Sequence, residues 1–337
     1  MGKKHIAIWG AWYGSRNVGD QVLLLTIMDI LAFTVGDVRF TVFTDNPNHV
    51  NTYTQRESSC QVTALHNRRQ FPRLVHTLAT CDLFVFGGGV PFFEEHKHVL
   101  VMALLTGLAR FFRTPYMTWT VSSQVVTSSF AKKVFSWVLQ GASGITYRDE
   151  HTRALFEACK VRQPMQLAGD PGFWLEPAHK EVAQHMIREA GKRTACGRIE
   201  SRPLVALTPR TLRGQDREAE THYNPKTPAQ YEQEIDCFVA ATDWLWEAGY
   251  QVIFVPMNTV SPDDDRLAAR QVIQLAKHGK NALLVDEEIR PRVAPNIYRQ
   301  CQASFVARVH GSITSLMGLC PPMMYAFAPK HAGIMAS

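Results

Sequence analysis

The feature that most constrains this chain is an alternation that starts twice. Apolar runs of strand length alternate with amphipathic runs of helix length. The first series passes through "HIAIWG" (His5 to Gly10), "VRFTVFT" (Val38 to Thr44), "DLFVFGGG" (Asp82 to Gly89), "YMTWTVS" and "GITYR", and it stops near Leu175. The second passes through "LVALTP", "QVIFVPM", "ALLV", "ASFVARV" and "MMYAF". Apolar strands separated by helices belong in parallel sheets covered on both faces. Between the two series, residues 178–203 are polar and rich in charge, which reads as a joint containing a short helix. The expected fold class is α/β, with two Rossmann-like domains facing across a cleft. Residues 1–175 and 204–337 are the expected domains and 176–203 the linker. Ligands in such sheets sit at the carboxyl ends of the strands.

Composition narrows the class of protein less than the alternation does. With 337 residues, 46% of them hydrophobic and 20% charged, the chain is long and apolar enough for a core in each domain. A net charge of +6 fits an anionic small molecule, a nucleic acid or an acidic membrane surface, and selects none of them. The seven cysteines show no C-x-x-C spacing, so zinc has no support and reduced, mostly buried thiols are expected. No run of eighteen apolar residues occurs, and the longest helix-like segment, "VLLLTIMDILAF", is interrupted by Asp29. The apolar run before Gly10 is too short for a signal peptide, so the chain reads as intracellular.

Five places could carry chemistry. "GAWYGSRNVGDQ" follows the first strand and opens a helix that Asn17 or Asp20 can cap. Its spacing is neither G-x-G-x-x-G nor a P-loop, and the Asp20 carboxylate would repel a phosphate, so a sugar suits Asn17 and Asp20 better than a nucleotide. A plain capped turn explains the same residues. Gly88, within "FGGGV", allows close approach of a ligand or close helix–strand packing. Arg148 in "TYRDEHT" leaves a strand end and either pairs with the acids after it or binds an anion. Arg210 in "ALTPRTLRG", with Arg213 and Arg217 beyond, reads first as a solvated basic loop. In "ASFVARVHGS", Arg308 and His310 are two residues apart and would share one face of a strand, with Gly311 turning the chain and Ser312 capping the next helix. A cation, an imidazole and a helix N-terminus would meet there, although a buried, satisfied histidine is the competing reading.

The order of these segments carries a resemblance. "WYGSRNVGDQVLL", "CDLFVFGGG", "GITYRDEHTRALF", "LAGDPGFWL" and "ARVHGSITSLMGLCPPMMYAF" together resemble the polysaccharide pyruvyl transferase family, from about Ile6 to Lys330. That resemblance implies a GT-B-like pair of Rossmann domains. It also implies transfer of pyruvate from phosphoenolpyruvate to two sugar hydroxyls as a cyclic ketal. On it, Arg308 and His310 fall on the family's Arg-x-His element, Arg148 on its strand-end arginine, and Asn17, Gly19 and Asp20 on its glycine-rich loop. His310 is then the best-placed proton carrier and the others bind substrate. Arg210 and Gly88 join them as substrate-binding candidates from their places at strand ends, with the donor on the second domain and the acceptor on the first. No metal and no cofactor besides the donor substrate are implied. The implied partners are phosphoenolpyruvate and a sugar, oligosaccharide or lipid-linked glycan, without nucleic acid. The implied location is cytoplasmic, with peripheral association at the inner face of the membrane left open. A nucleotide-sugar glycosyltransferase is the alternative on the shared architecture, and a non-catalytic glycan-binding protein is a third class. Three departures stand out: Gly311 after the histidine, no Gly-Pro before "SSQVV", and an end at Ser337 soon after the last strand.

Overall fold

Two fully parallel sheets organise the chain in a computed structural model that describes residues 2–10, 12–194, 197–210, 228–260 and 263–326. The first sheet has strands β1 (Lys4–Trp9), β2 (Val38–Thr44), β3 (Gln61–His66), β4 (Leu83–Gly87), β5 (Tyr116–Val121), β6 (Gly144–Tyr147) and β7 (Met165–Leu167), in the order β3-β2-β1-β4-β5-β6-β7. The second has β8 (Leu204–Thr208), β9 (Gln251–Phe254), β10 (Leu283–Leu284), β11 (Cys301–Val306) and β12 (Pro322–Met324), in the order β10-β9-β8-β11-β12. Each order reverses once, between β1 and β4 and between β8 and β11. A crevice opens at the strand ends where the order reverses. Residues 12–17, between β1 and α1, and Gly88 lie at the first reversal, and Arg210 and Arg308 at the second.

Helices α1 (Val18–Val35) and α2 (Pro47–Glu57) cover one face of the first sheet. Helices α3 (Phe71–Thr80), α4 (His96–Phe111), α5 (Ser129–Gln140) and α6 (Glu150–Ala158) cover the other. The sequence reading passes over β3, α2, α3 and β7. Of the six residues of β3, only Ala64 and Leu65 are buried, so this strand lacks the apolar run that marks its neighbours. The charged joint also holds more structure than its composition suggests. Helix α7 (Lys180–Lys192) buries Ala183, Met186, Ile187 and Ala190 and packs against β10 and α10 (Ala294–Tyr298), so it lies on the second sheet.

Helix α1 explains its own composition. Leu23, Leu24, Leu25, Ile27 and Met28 are all fully buried, although residues that close together span every side of a helix. One side packs on the first sheet. Another meets the Pro171–Trp174 turn and α11 (Val309–Met317). By length and composition α1 is also long enough to cross a membrane, but most of it is buried inside the molecule. Asp29, which interrupts its apolar run, is ion-paired with Arg292 of the second unit. One apolar core includes Leu24 and Val42 from the first unit and Leu204, Ile253 and Val306 from the second.

Candidate active site

Two helix N-termini converge where the sheets meet. Asn17 caps α1, accepting the Gly19 amide at 2.9 Å. The same residue forms an antiparallel bridge with Asn258, and the Val18 amide donates to the Met257 carbonyl at 2.8 Å. The start of α1 is thereby tied to the carboxyl end of β9.

Across the seam the structure departs from the expected geometry. β11 ends at Val306, so Arg308 and His310 do not share a strand face; Arg308 is the N-cap of α11 and His310 lies in its first turn. The reason lies in β8, which ends at Thr208 opposite Val306. The Ala307 amide takes the Thr208 carbonyl at 2.9 Å, and the paired strand runs no further. Ser312, the residue expected to cap this helix, instead donates its hydroxyl to the Val309 carbonyl at 2.7 Å.

His310 is held on both edges. A Cβ on Gly19 would lie 2.3 Å from its Nδ1, so only glycine there admits the imidazole. Its Nε2 lies 3.8 Å from Asp170 Oδ2. Asp170 begins the Pro171–Trp174 turn and accepts the Gly172 amide at 2.8 Å. It is also ion-paired with Arg148, whose Nε donates to Ser122 Oγ at 3.1 Å. Burial alone would raise the Asp170 carboxyl. The charges of Arg148 and His310 and the Gly172 amide outweigh it, holding the group below the usual carboxylate range. Asp170 was not legible as a site residue, although it stands within the family-like segment "LAGDPGFWL". The one signal is an aspartate placed to cap a Pro-Gly turn.

The two arginines expected to hold an anionic donor each face a buried carboxylate. Arg148 is buried and bound to Asp170; of the acids just after it, Asp149 caps α6 through the Thr152 amide and Glu150 lies on the surface. Arg308 bonds Asp265 through Nη2 at 2.5 Å and reaches the Asp263 carbonyl at 3.3 Å. Asp265, 1% exposed, also accepts the Met257 and Asn258 amides at 3.2 and 3.0 Å, which fixes the loop after β9. Arg210 is not in a solvated loop: it is buried, and its amide donates to Glu234, itself fully buried, at 3.2 Å. Arg213 and Arg217 lie outside the described residues. Gly88 does not face open space; its Cβ would meet Ile27 and Leu23 of α1 at 3.3 Å, so it serves helix–strand packing. Its neighbour Gly89, at φ 77°, borders Asp20 instead. Asp20 accepts the Ser15 hydroxyl at 3.3 Å.

A separate cavity of about 430 Å³ lies where β1 ends, between α3 and α4. Its walls include Trp9, Trp12, Phe93 and His98, with Asp45, Asn67 and Arg68 among the polar groups. The rings are stacked: His98 lies 4.0 Å from Phe93 and 5.0 Å from Trp9, centroid to centroid. Among the described residues, no cluster of His, Cys, Asp and Glu has a metal-binding arrangement.

The sequence pattern of polysaccharide pyruvyl transferases matches residues 17–326, a span that runs from the cap of α1 past the last strand. This chain belongs to that family. A search of curated proteins returns no match. Among solved structures, the fold is similar to a putative UDP-N-acetylglucosamine 2-epimerase from Listeria monocytogenes, with TM-score 0.56 and 10% identity over 96% of this chain and 79% of that one. An α-glucosyltransferase in complex with UDP gives TM-score 0.52 and 10% identity over 99% and 85%. The E. coli ADP-heptose LPS heptosyltransferase II gives 0.50 and 14% over 95% and 84%. These likenesses establish a GT-B-like pair of Rossmann domains. At such identities they speak for the fold alone.

Proposed function

We propose that this family member transfers pyruvate from phosphoenolpyruvate to two hydroxyls of a glycan sugar, forming a cyclic ketal. The observation that best supports this reading is His310, held at a helix N-terminus on the domain seam with the buried carboxylate Asp170 3.8 Å from Nε2. That carboxylate is the charge partner a protonated imidazole needs, and the imidazolium is the form that can give up a proton. In the proposed reaction that proton goes to the methylene carbon of the enol, leaving a cationic C2. One sugar hydroxyl forms a bond to C2 and loses its proton. The C2–O bond to phosphorus then breaks, phosphate departs, and the second hydroxyl closes the ketal. Of the two hydroxyl protons, one restores His310 and the other leaves with phosphate.

The anionic donor is drawn to the seam by the N-terminus of α11, where Arg308 stands paired with Asp265. Arg148 acts through Asp170, as a positioning residue that keeps the carboxylate ionised beneath His310. The separate aromatic cavity suits a part of the glycan away from the reacting sugar, which itself has to reach His310: its rings offer flat apolar surface, and Asp45 and Asn67 offer hydroxyl partners.

The test is a coupled one. Phosphate release from phosphoenolpyruvate is followed together with the mass of a glycan acceptor, which should gain pyruvate less water. His310→Gln should lower turnover by roughly 10²–10⁴-fold, with a smaller change in donor affinity. Asp170→Asn should move the alkaline limb of the pH–rate profile to lower pH, because the imidazolium loses its stabilising charge. A folded His310→Gln protein with wild-type turnover would sink the assignment. Strong thermal stabilisation by a nucleoside diphosphate, with hexose transfer, would replace this reading with the glycosyltransferase one.

A further inference from the structure

The net charge of the chain is segregated. Residues 58–148 contain nine Lys and Arg against three Asp and Glu, an excess of six that equals the net charge of the whole protein. The remaining residues balance, at twenty-seven of each sign. No carboxylate side chain occurs anywhere from His96 to Arg148, nor from Ser58 to Cys81. These two stretches contain α3, α4 and α5, which lie side by side with α4 in the middle.

The buried sides of these helices pack on the first sheet through Leu74 and Leu78, Val99 and Met102, and Phe135 and Leu139. Their other sides are apolar too. On α4, Leu100, Leu104 and Phe111 are 47%, 48% and 79% exposed, at a spacing that lines one stripe of the helix. Phe71 at the start of α3 and Phe130 and Trp137 on α5 flank that stripe, each about two-fifths exposed. Arg73, Lys97, Lys132 and Lys133 lie on the same three helices. The face is opposite α1 and α2, and so opposite the seam with the second unit.

Apolar side chains on three helices that carry cations and no carboxylate, with Glu95 capping α4 at the edge of the face, fit one partner chemistry, the surface of an anionic bilayer. Aromatic and aliphatic groups enter the headgroup boundary while the cations meet lipid phosphates. We propose that the α3–α4–α5 face docks this protein on an anionic membrane. Phe71 and Leu104 also line the aromatic cavity, so a bilayer beneath this face would lie at the cavity's edge. That would suit an acceptor carried on a lipid. The docking itself does not depend on the pyruvyl-transfer reading.

Vesicle co-sedimentation tests it without any assay of activity. The wild-type protein should bind vesicles of phosphatidylcholine with about one-third phosphatidylglycerol, bind pure phosphatidylcholine weakly, and release at about 0.5 M salt. The double variants Lys132→Glu/Lys133→Glu and Leu100→Asp/Phe111→Asp should each lose at least about tenfold in partitioning. Lys180→Glu/Lys280→Glu, with the same charge change on the second unit, should lose far less. All these side chains are exposed or half-buried, and an unchanged thermal midpoint will confirm folding. Equal binding by the face variants and wild type would overturn the proposal, as would an equal loss in the control. A concentration-dependent dimer in light scattering that Leu100→Asp/Phe111→Asp dissociates would overturn it in favour of a face that pairs two copies.

Discussion

His98 shows how one residue sets a pH dependence. Its Nε2 bonds the Pro91 carbonyl at 2.7 Å, so the neutral ring donates from that nitrogen. Burial pushes its pKa from 6.5 down to about 4, against the opposing effect of the Pro91 bond. The folded protein therefore resists a proton that the unfolded chain accepts. The stability that depends on neutral His98 is complete above 6.5 and is lost as pH falls toward 4. Between about pH 7 and about pH 5 the loss is about 2 kcal/mol. His5 and His49 are also lowered, chiefly by burial, and add in the same direction. Urea unfolding at the two pH values should show His98→Gln losing about 2 kcal/mol less than wild type. Equal losses would show that His98 does not titrate this way. Nothing in the sequence pattern sets His98 apart from His96 beside it. The sandwich around His98 sets the nearby Phe93 on one side and, on the other, Trp9, which the sequence keeps far away.

At the scale of elements, α1 and α11 work as a pair. The sequence shows each as an apolar helix opened by small or polar residues and offers Asn17 or Asp20 as the cap of the first; the structure puts Asn17 there. It does not show that Gly19 makes room for His310, because that contact joins residues nearly three hundred positions apart. Gly19→Ala should push the imidazole away from α1 and lower kcat by about 10²-fold, the scale of an ångström-sized misplacement, with less change in donor affinity. Gly107→Ala is the control: its Cβ meets only Trp137, at an ordinary 3.8 Å, and kcat should not change. Steady-state kinetics on both variants checks this. Wild-type kcat in Gly19→Ala would mean that the imidazole position is not critical. The expected strand face for Arg308 and His310 failed for a similar reason. Where β11 stops is set by the length of its partner β8, and local sequence does not carry that length.

At the scale of the molecule, the two sheets share a core and a charged seam. Arg290 meets Glu57 at 3.1 Å, Arg292 donates to the Glu57 carbonyl at 2.9 Å and pairs with Asp29, and Glu288 faces His49 at 3.4 Å. Glu57, with its side chain fully buried, depends on those partners. A polar joint in the sequence suggests two independent units. A continuous apolar core argues for one cooperative transition. Calorimetry should show a single unfolding peak for the wild type. Arg290→Ala/Arg292→Ala should lower its midpoint by at least about 2 °C, since it strands Glu57 and Asp29. Two resolved peaks in the wild type would show that the seam carries little coupling.

The sequence by itself determined the α/β class, the two parallel sheets, the family and the strand ends near which the candidate residues lie. The class, the sheets and the strand ends follow from periodicity and turn chemistry, which act over a few residues; the family follows from the resemblance carried by five short segments in order. Only the tertiary structure decided what each of those residues faces. Arg148 and Arg308 read alike as cations at cleft-side strand ends, yet Asp170 and Asp265 take them up as buried ion pairs. A charge leaving water needs a partner within a few ångströms. Folding supplied those partners from 22 and 43 positions away, a distance that no local pattern spans.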